Sequence, residues 1–385
     1  MTTKMRILLD CSLLTVGGGI QVALAVIKNA MQHREIEWAL IASHQVASQL
    51  PIGAENCFLQ ILKLPPLNPW VRFAYIRRFK KLECDINPNL VFTVFGPAIW
   101  HSHAPHLQGF AIVQMLYPEI DLYKDSWKKK LYNKALDLWK KISLQHADYL
   151  IVETETSRLR THRILGYPKD KIFVIGNSYS PQFLERCQTS TAMNRADFFS
   201  VFIPSAFYPH KCLELVPYIA EHIKKISPTL NIKFILSLPE KDKGWQHIIT
   251  LAKQLKVDGL LETAGSINNE KIADYYKQAA VVFLPTIMEV SSAVYPEAMM
   301  AGVPLITTDA DFSRELCEDA ALYFPAQDTQ AAAKTILSVL ENPTLRDSLK
   351  AAATRVLKKN YPSPDQKWSM QLQCMENIIV NATKN

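Results

Sequence analysis

Short apolar runs rich in β-branched residues alternate along the chain with longer segments whose apolar positions recur every three or four residues. MRILLD precedes GIQVALAVIKNAMQ; EWALIAS, LVFTVF, FAIVQML and DYLIVET follow, and SRLRTHRILG leads into KIFVIG. This alternation predicts repeated strand–helix units around a parallel sheet. A second series starts at SVFIPSA and CLELVPYIAEHIKKI, continues through NIKFILSL, GWQHIITLAKQLKV, LLETAG, NEKIADYYKQA, AVVFLPT, PEAMMAG and VPLITTD, and ends with AALYFPA and TQAAAKTILSVLEN. Between the two lies NSYSPQFLERCQTSTAMNRADFF, polar and without sustained periodicity, which places a linker near residues 178–198. The expected fold is α/β: two Rossmann-like, doubly wound domains over residues 1–180 and 195–360, facing across a cleft, with an amphipathic helix in residues 361–385.

Composition agrees with two packed cores, since 385 residues exceed the size at which a single core keeps growing and the apolar fraction is 48%. MTTKMRILLDCSLL has too short an apolar run before Asp10 for a signal peptide. No window offers the roughly 18 uninterrupted apolar residues of a membrane span, so the chain reads as cytoplasmic. The 7 cysteines are scattered and form no CxxC pair, which excludes a zinc ribbon and argues for reduced, buried thiols. Residues 1–180 hold 22 Lys and Arg against 14 Asp and Glu, while the remainder is nearly neutral, with 21 against 22. A basic first half suits an anionic partner, a lipid surface or a phosphorylated acceptor. Nucleic acid is disfavoured, because no binding motif accompanies the charge.

In parallel α/β sheets ligands sit at the carboxyl ends of strands, where helices begin. One candidate is VGGGIQVAL, with Gly17, Gly18 and Gly19 before a helix expected to start near Ile20. Glycines permit close backbone approach and a helix start attracts anions, although a tight turn alone would use the same residues. The run is not GxGxxG, which disfavours a dinucleotide fold. A sharper candidate is MEVSSAVYPEAMMAGVP. Pro296 suits the first helical position, Glu297 the first turn, and Gly302 the position past the end. Glu289 then lies on the loop before that helix, so two carboxylates flank one helix start. Amides there can hold a diphosphate while carboxylates accept hydrogen bonds from hydroxyls, a combination that fits a sugar nucleotide. The plainer alternative leaves Glu297 complementing the helix dipole and Glu289 in water.

The run from Glu289 to Glu297 followed by AMMAGVPLITTD resembles the signature of the retaining glycosyltransferases of family four, which have the GT-B fold. The resemblance covers most of residues 200–330, with YPHK ending at Lys211, TAGSI at Thr263 to Ile267, and NNEKIADYYKQAAVVFLPT in the family's order. It implies that Glu297 holds ribose hydroxyls, Glu289 contacts the transferred sugar and Lys211 stabilises the leaving diphosphate. Gly265 and Ile267 would meet the base, and Ser291, Ser292, Ala293, Gly18 and Gly19 would line the donor. It also implies retention of configuration, a nucleotide-diphospho-sugar donor, a saccharide or lipid-linked acceptor, no cofactor, and a last helix that crosses back onto the first domain. Three departures stand out: Val290-Ser291-Ser292 replaces Gly-Phe-Gly, Ala206 replaces an arginine, and the region of Gln114 takes the place of a histidine motif. A sugar-nucleotide epimerase, a glycoside hydrolase and a catalytically silent binding subunit stay open as alternatives.

His106 and Gln114 are the expected acceptor contacts. His101, His103 and His106 invite a metal reading, as does Asp309-Ala310-Asp311, but neither has the companions of a metal site, and no metal is expected. Finally, Trp127, Leu131, Ala135, Leu138 and Ile142 form one apolar helical stripe beside lysines. Such a stripe can lie on an anionic bilayer; more often it packs on a sheet. Trp70-Val71-Arg72-Phe73 to Lys81 is a second case. Peripheral membrane contact through these basic helices is the corresponding expectation.

Overall fold

The computed structural model describes residues 4–15, 17–65, 72–122, 127–190 and 197–382. Val16, Trp70 and Val71, and the side chains of Phe73 and Trp127, lie outside the described set. The chain divides into two units, Met1–Ile175 with Asp365–Asn385, and Gly176–Pro364.

The first unit is a 7-stranded sheet of β1 (Arg6–Cys11), β2 (Glu37–Ala42), β3 (Phe58–Lys63), β4 (Leu90–Thr93), β5 (His106–Gly109), β6 (Tyr149–Val152) and β7 (Ile172–Val174). Its order is β3-β2-β1-β4-β5-β6-β7 and every pairing is parallel, with Asp10 beside both Ile41 and Thr93. Such strands are covered on both faces, which is why β1 is apolar nearly throughout. Ile7 and Leu9 join a cluster built with helix Gly17–Gln32 (Ala23, Val26, Ile27) and helix Pro364–Ala382 (Trp368, Met375, Ile378). Leu8 joins the opposite cluster, with Tyr75, Phe79 and Leu82 of helix Arg72–Ile86.

Two strands differ from the sequence expectation. FAIVQML is not the fifth strand: β5 is His106–Gly109, and Val113–Leu116 is a short helix. β5 has polar residues at inward positions, and His106 and Gln108 are tolerated there because Thr93 and the Ala98 amide bond them at 2.8 Å each. β3 has no counterpart in the apolar pattern of the sequence. It is an edge strand, with Leu59 and Gln60 exposed, so its apolar pattern is weak.

The second unit is a 6-stranded parallel sheet of β8 (Phe199–Ile203), β9 (Ile232–Leu236), β10 (Leu261–Thr263), β11 (Val281–Leu284), β12 (Leu305–Thr308) and β13 (Ala321–Phe324), in the order β10-β9-β8-β11-β12-β13. The segment read as a linker instead contains helix Pro181–Thr189, capped by the Ser180 hydroxyl at 3.3 Å from the Phe183 amide. Only Phe183 and Cys187 are buried, one turn apart, which is too sparse a stripe to register as periodicity in a polar segment. Phe183 packs edge-on against Tyr276, with ring centroids 5.3 Å apart.

Trp368 sits 6.0 Å from Trp38 and 5.7 Å from His33, ring to ring, inside the first unit's core. Trp368→Ala is expected to destabilise that unit by about 3–5 kcal/mol. Hydrogen exchange should show protection falling in β1 and β2 while β8 and β11 keep theirs; equal losses in both sheets would contradict this packing.

Candidate functional site

In the second unit β8 is the switch point: the chain passes from it to β9 on one side, and β11 lies on the other. Loops after β8 and β11 therefore leave the carboxyl edge in opposite senses and open a crevice there. After β8 the chain turns through a 3₁₀ segment, Pro209–Lys211, closed by Cys212 in the left-handed region at φ 50°. The loop after β11 is stitched to it. The Ile287 amide donates to the His210 carbonyl at 2.9 Å, and the Thr286 hydroxyl lies 3.2 Å from the same carbonyl. This brings the Lys211 ammonium onto the Glu289 carboxylate as an ion pair, with only 16% and 15% of the two side chains exposed.

Glu289 leads into helix Val294–Ala301, which ends on Gly302 at φ 67°, a backbone that favours glycine. Pro296 is its third residue rather than its first. The position still suits proline, because the first-turn amides have no intrahelical acceptor. Ala293 precedes the helix and supplies no side-chain cap, so no capping oxygen competes for the amides of Ala293, Val294 and Tyr295, a setting that suits an anion. Ser292 is buried, and the buried Ser291 hydroxyl has no hydrogen-bond partner among the described residues.

Glu297 lies one turn into this helix, its amide bonded to the Ala293 carbonyl at 3.1 Å. Its carboxylate accepts a 2.6 Å hydrogen bond from the Tyr276 hydroxyl. Burial pushes the carboxyl up to about 7, against the Tyr276 bond, which favours the charged form. Burial and the neighbouring Glu297 raise Tyr276 well above the usual phenol range, so it stays a neutral donor. Near His210 burial and Lys211 both lower the imidazole, with Glu289 opposing them.

The remaining sequence candidates are spread more widely. Gly265 adopts φ 67° in the loop after β10, its amide 3.0 Å from the Thr263 hydroxyl, with Ile267 half-buried beyond it. That loop is two strands from β8, roughly 10 Å across the sheet. Gly18 and Gly19 lie inside the first turn of helix Gly17–Gln32, three residues earlier than the expected start at Ile20. His106 has no exposed surface; burial drops it to about 4, so it is a neutral sheet residue out of an acceptor's reach. Gln114 is exposed on its short helix. His101 and His103 are exposed, Asp309 is held by Arg314 at 2.7 and 2.9 Å, and no cluster of metal-ligating side chains occurs among the described residues. Ala206 stands exposed in the loop after β8 and brings no charge to it.

Sequence reasoning missed Tyr276. The signal was available in NEKIADYYKQA, where Ala273 and Tyr276 share the inward face, because a buried tyrosine hydroxyl needs an acceptor. Tyr276→Phe removes a bond that favours the charged carboxylate. It is expected to move the Glu297 midpoint further above 7, read by NMR titration of glutamate-labelled protein. An unchanged or lowered midpoint would contradict the assigned role.

The sequence profile of the family described as glycosyl transferases group 1 matches residues 201–356. No curated protein sequence matches the chain. Among solved structures, it is similar to a sucrose-phosphate synthase from Thermosynechococcus elongatus at 16% identity and TM-score 0.73, over 98% of this chain and 100% of that one. A glycosyltransferase from Rickettsia africae ESF-5 aligns at 15% identity and TM-score 0.71, over 98% and 99%. HepE from Anabaena, in complex with UDP and glucose, aligns at 14% identity and TM-score 0.69, over 97% and 99%. At these identities the structural likeness is one of fold. The chain has the GT-B fold of these structures, and its residues 201–356 match the glycosyl transferases group 1 family.

Proposed function

We propose that this protein transfers a hexose from a nucleotide-diphospho-sugar of the UDP or GDP class to a saccharide or lipid-linked saccharide, with retention of anomeric configuration. The observation that carries the reading is the pairing of Lys211 with Glu289 beside the uncapped start of helix Val294–Ala301, with Glu297 one turn further on. Each partner of that pair has a use once a donor arrives. The Lys211 ammonium turns to the diphosphate, and the Glu289 carboxylate is released to accept hydrogen bonds from the sugar hydroxyls. Glu297 accepts from the ribose. Gly265 and Ile267 border the base, and the first unit, with Gln114 among its contacts, holds the acceptor. The capture of UDP and UDP-glucose by HepE supports a donor of this class.

In the transfer itself, the bond from the anomeric carbon to the β-phosphate oxygen breaks and its electron pair leaves with the phosphate. The acceptor oxygen bonds to the anomeric carbon on the same face, and its proton passes to the leaving phosphate. Stabilising that departing charge is the main device, supplied by Lys211 and the helix amides. No protein nucleophile is invoked. A cytoplasmic protein with peripheral membrane contact fits this reading: among the described residues no helix is long and apolar enough to cross a membrane.

A thermal-shift panel of UDP-, GDP-, ADP- and dTDP-sugars should show stabilisation by one nucleotide class, lost in Glu297→Ala. Stabilisation by none of them, or stabilisation that survives the substitution, would overturn the reading. With that donor and an acceptor, anomeric proton couplings in the product should match those of the donor; inverted couplings would exclude retention, and turnover of donor alone would point to an epimerase.

Because an ionised carboxylate accepts more strongly, and at both oxygens, than a protonated one, donor binding favours charged Glu297, whose carboxyl sits near 7 without ligand. Affinity for a nucleotide sugar, whose phosphates stay ionised throughout, is therefore full above about pH 7. It should weaken by up to about tenfold per unit as pH falls below that point. Calorimetry checks the slope, and Glu297→Gln should flatten it.

A further inference from the structure

Among the described residues of helix Trp127–Leu144, the apolar stripe is left unpacked. Leu131, Leu138 and Ile142 fall on one arc of the helix with Ala135, and they are 62%, 60% and 53% exposed. The helix is held to its unit by the opposite side instead. Ser143 and Leu144 are buried there, and Trp139 packs against the cluster of Tyr75, Phe79 and Leu82. Lys134 and Lys141 are exposed and flank the apolar arc on one edge, while Lys140 turns back toward Asp137 at 3.4 Å. Helix Arg72–Ile86, covering the same face of the sheet, behaves in the ordinary way. Its apolar stripe of Tyr75, Phe79, Leu82 and Ile86 is buried, and Arg77, Arg78, Lys80 and Lys81 are exposed. Two basic amphipathic segments of one unit have therefore been resolved oppositely, and only one leaves Leu131, Leu138 and Ile142 in water.

We propose that helix Trp127–Leu144 is a docking face for an anionic lipid bilayer. Lying in the membrane interface, it would direct Leu131, Leu138 and Ile142 toward the acyl chains and Lys134 and Lys141 toward headgroup phosphates. Charge complementarity selects this occupant. The apolar arc is bordered by cations, the neighbouring helix adds Arg77, Arg78, Lys80 and Lys81, and the first 180 residues carry 22 basic against 14 acidic side chains. A second copy of the chain fits poorly. A two-fold contact along this helix sets Lys134 and Lys141 against their own mates. An 18-residue helix is about 27 Å long and 10 Å across, so its open face offers on the order of 300 Å², against about 800 Å² per partner in a standard interface. This inference does not rest on the transferase reading, because lipid binding is measured without donor or acceptor.

Flotation of the full chain with vesicles of phosphatidylcholine alone, or mixed with phosphatidylglycerol, tests it. The protein should float with the mixed vesicles only, less so as salt is raised. Lys134→Glu with Lys141→Glu should weaken partition by more than about tenfold. Leu131→Ser, Leu138→Ser and Ile142→Ser together should abolish it. All five side chains are exposed, so circular dichroism and the melting temperature should match the parent protein. No flotation, flotation that both variants retain, or a lipid-free dimer in light scattering that only the triple variant dissolves would each overturn the proposal.

Discussion

A lysine ammonium and a glutamate carboxylate, each costly to bury alone, neutralise one another at the carboxyl edge of the second sheet. Lys211 and Glu289 meet because β8 and β11 are neighbours at the point where strand order reverses, and because the His210 carbonyl ties the two loops together. The pair is what lets a crevice lined by a 3₁₀ turn and a helix start carry two opposite charges without a ligand. Its members match the two needs of a sugar nucleotide, a cation for phosphate and an acceptor for hydroxyls.

Glu297 shows a different solution to the same cost. Among the described residues it has no cation partner, and burial raises its carboxyl to about 7 against the Tyr276 hydroxyl bond. Tyr276 is in turn fixed between Phe183 of helix Pro181–Thr189 and Phe202 of β8, with ring centroids 5.3 and 5.2 Å away. A segment that reads as polar connection thus supports the residue that holds a site carboxylate. The same packing joins the helix after the domain boundary to the second unit, so the boundary falls at Ile175/Gly176 and not in the polar run that follows.

Much of this was legible in order along the chain. The doubly wound layout followed from alternating periods, because a strand covered on both faces must be apolar and a covering helix must be amphipathic. The glutamates and Gly302 were visible for the same kind of reason, since capping and charge near a helix start are local chemistry, whereas Lys211 was marked only by the family resemblance. β5 was not legible. His106 and Gln108 look wrong for a central strand until Thr93 and the Ala98 amide are seen to bond them, and FAIVQML then looks more like a strand than the strand itself.

By itself, then, the sequence determined the two-sheet class, the helix that ends at Gly302 and the acidic pair that flanks its start, because each depends on residues a few positions apart. Tertiary structure alone decided that Lys211 would find Glu289 across 78 residues, that Tyr276 would hold Glu297, and that His106 would be sealed inside the sheet. It also decided that one basic helix would bury Tyr75, Phe79 and Leu82 and the other leave Leu131, Leu138 and Ile142 exposed. Those outcomes turn on which surfaces meet, and a side chain's solvation, and with it its charge and partners, is set only when they do.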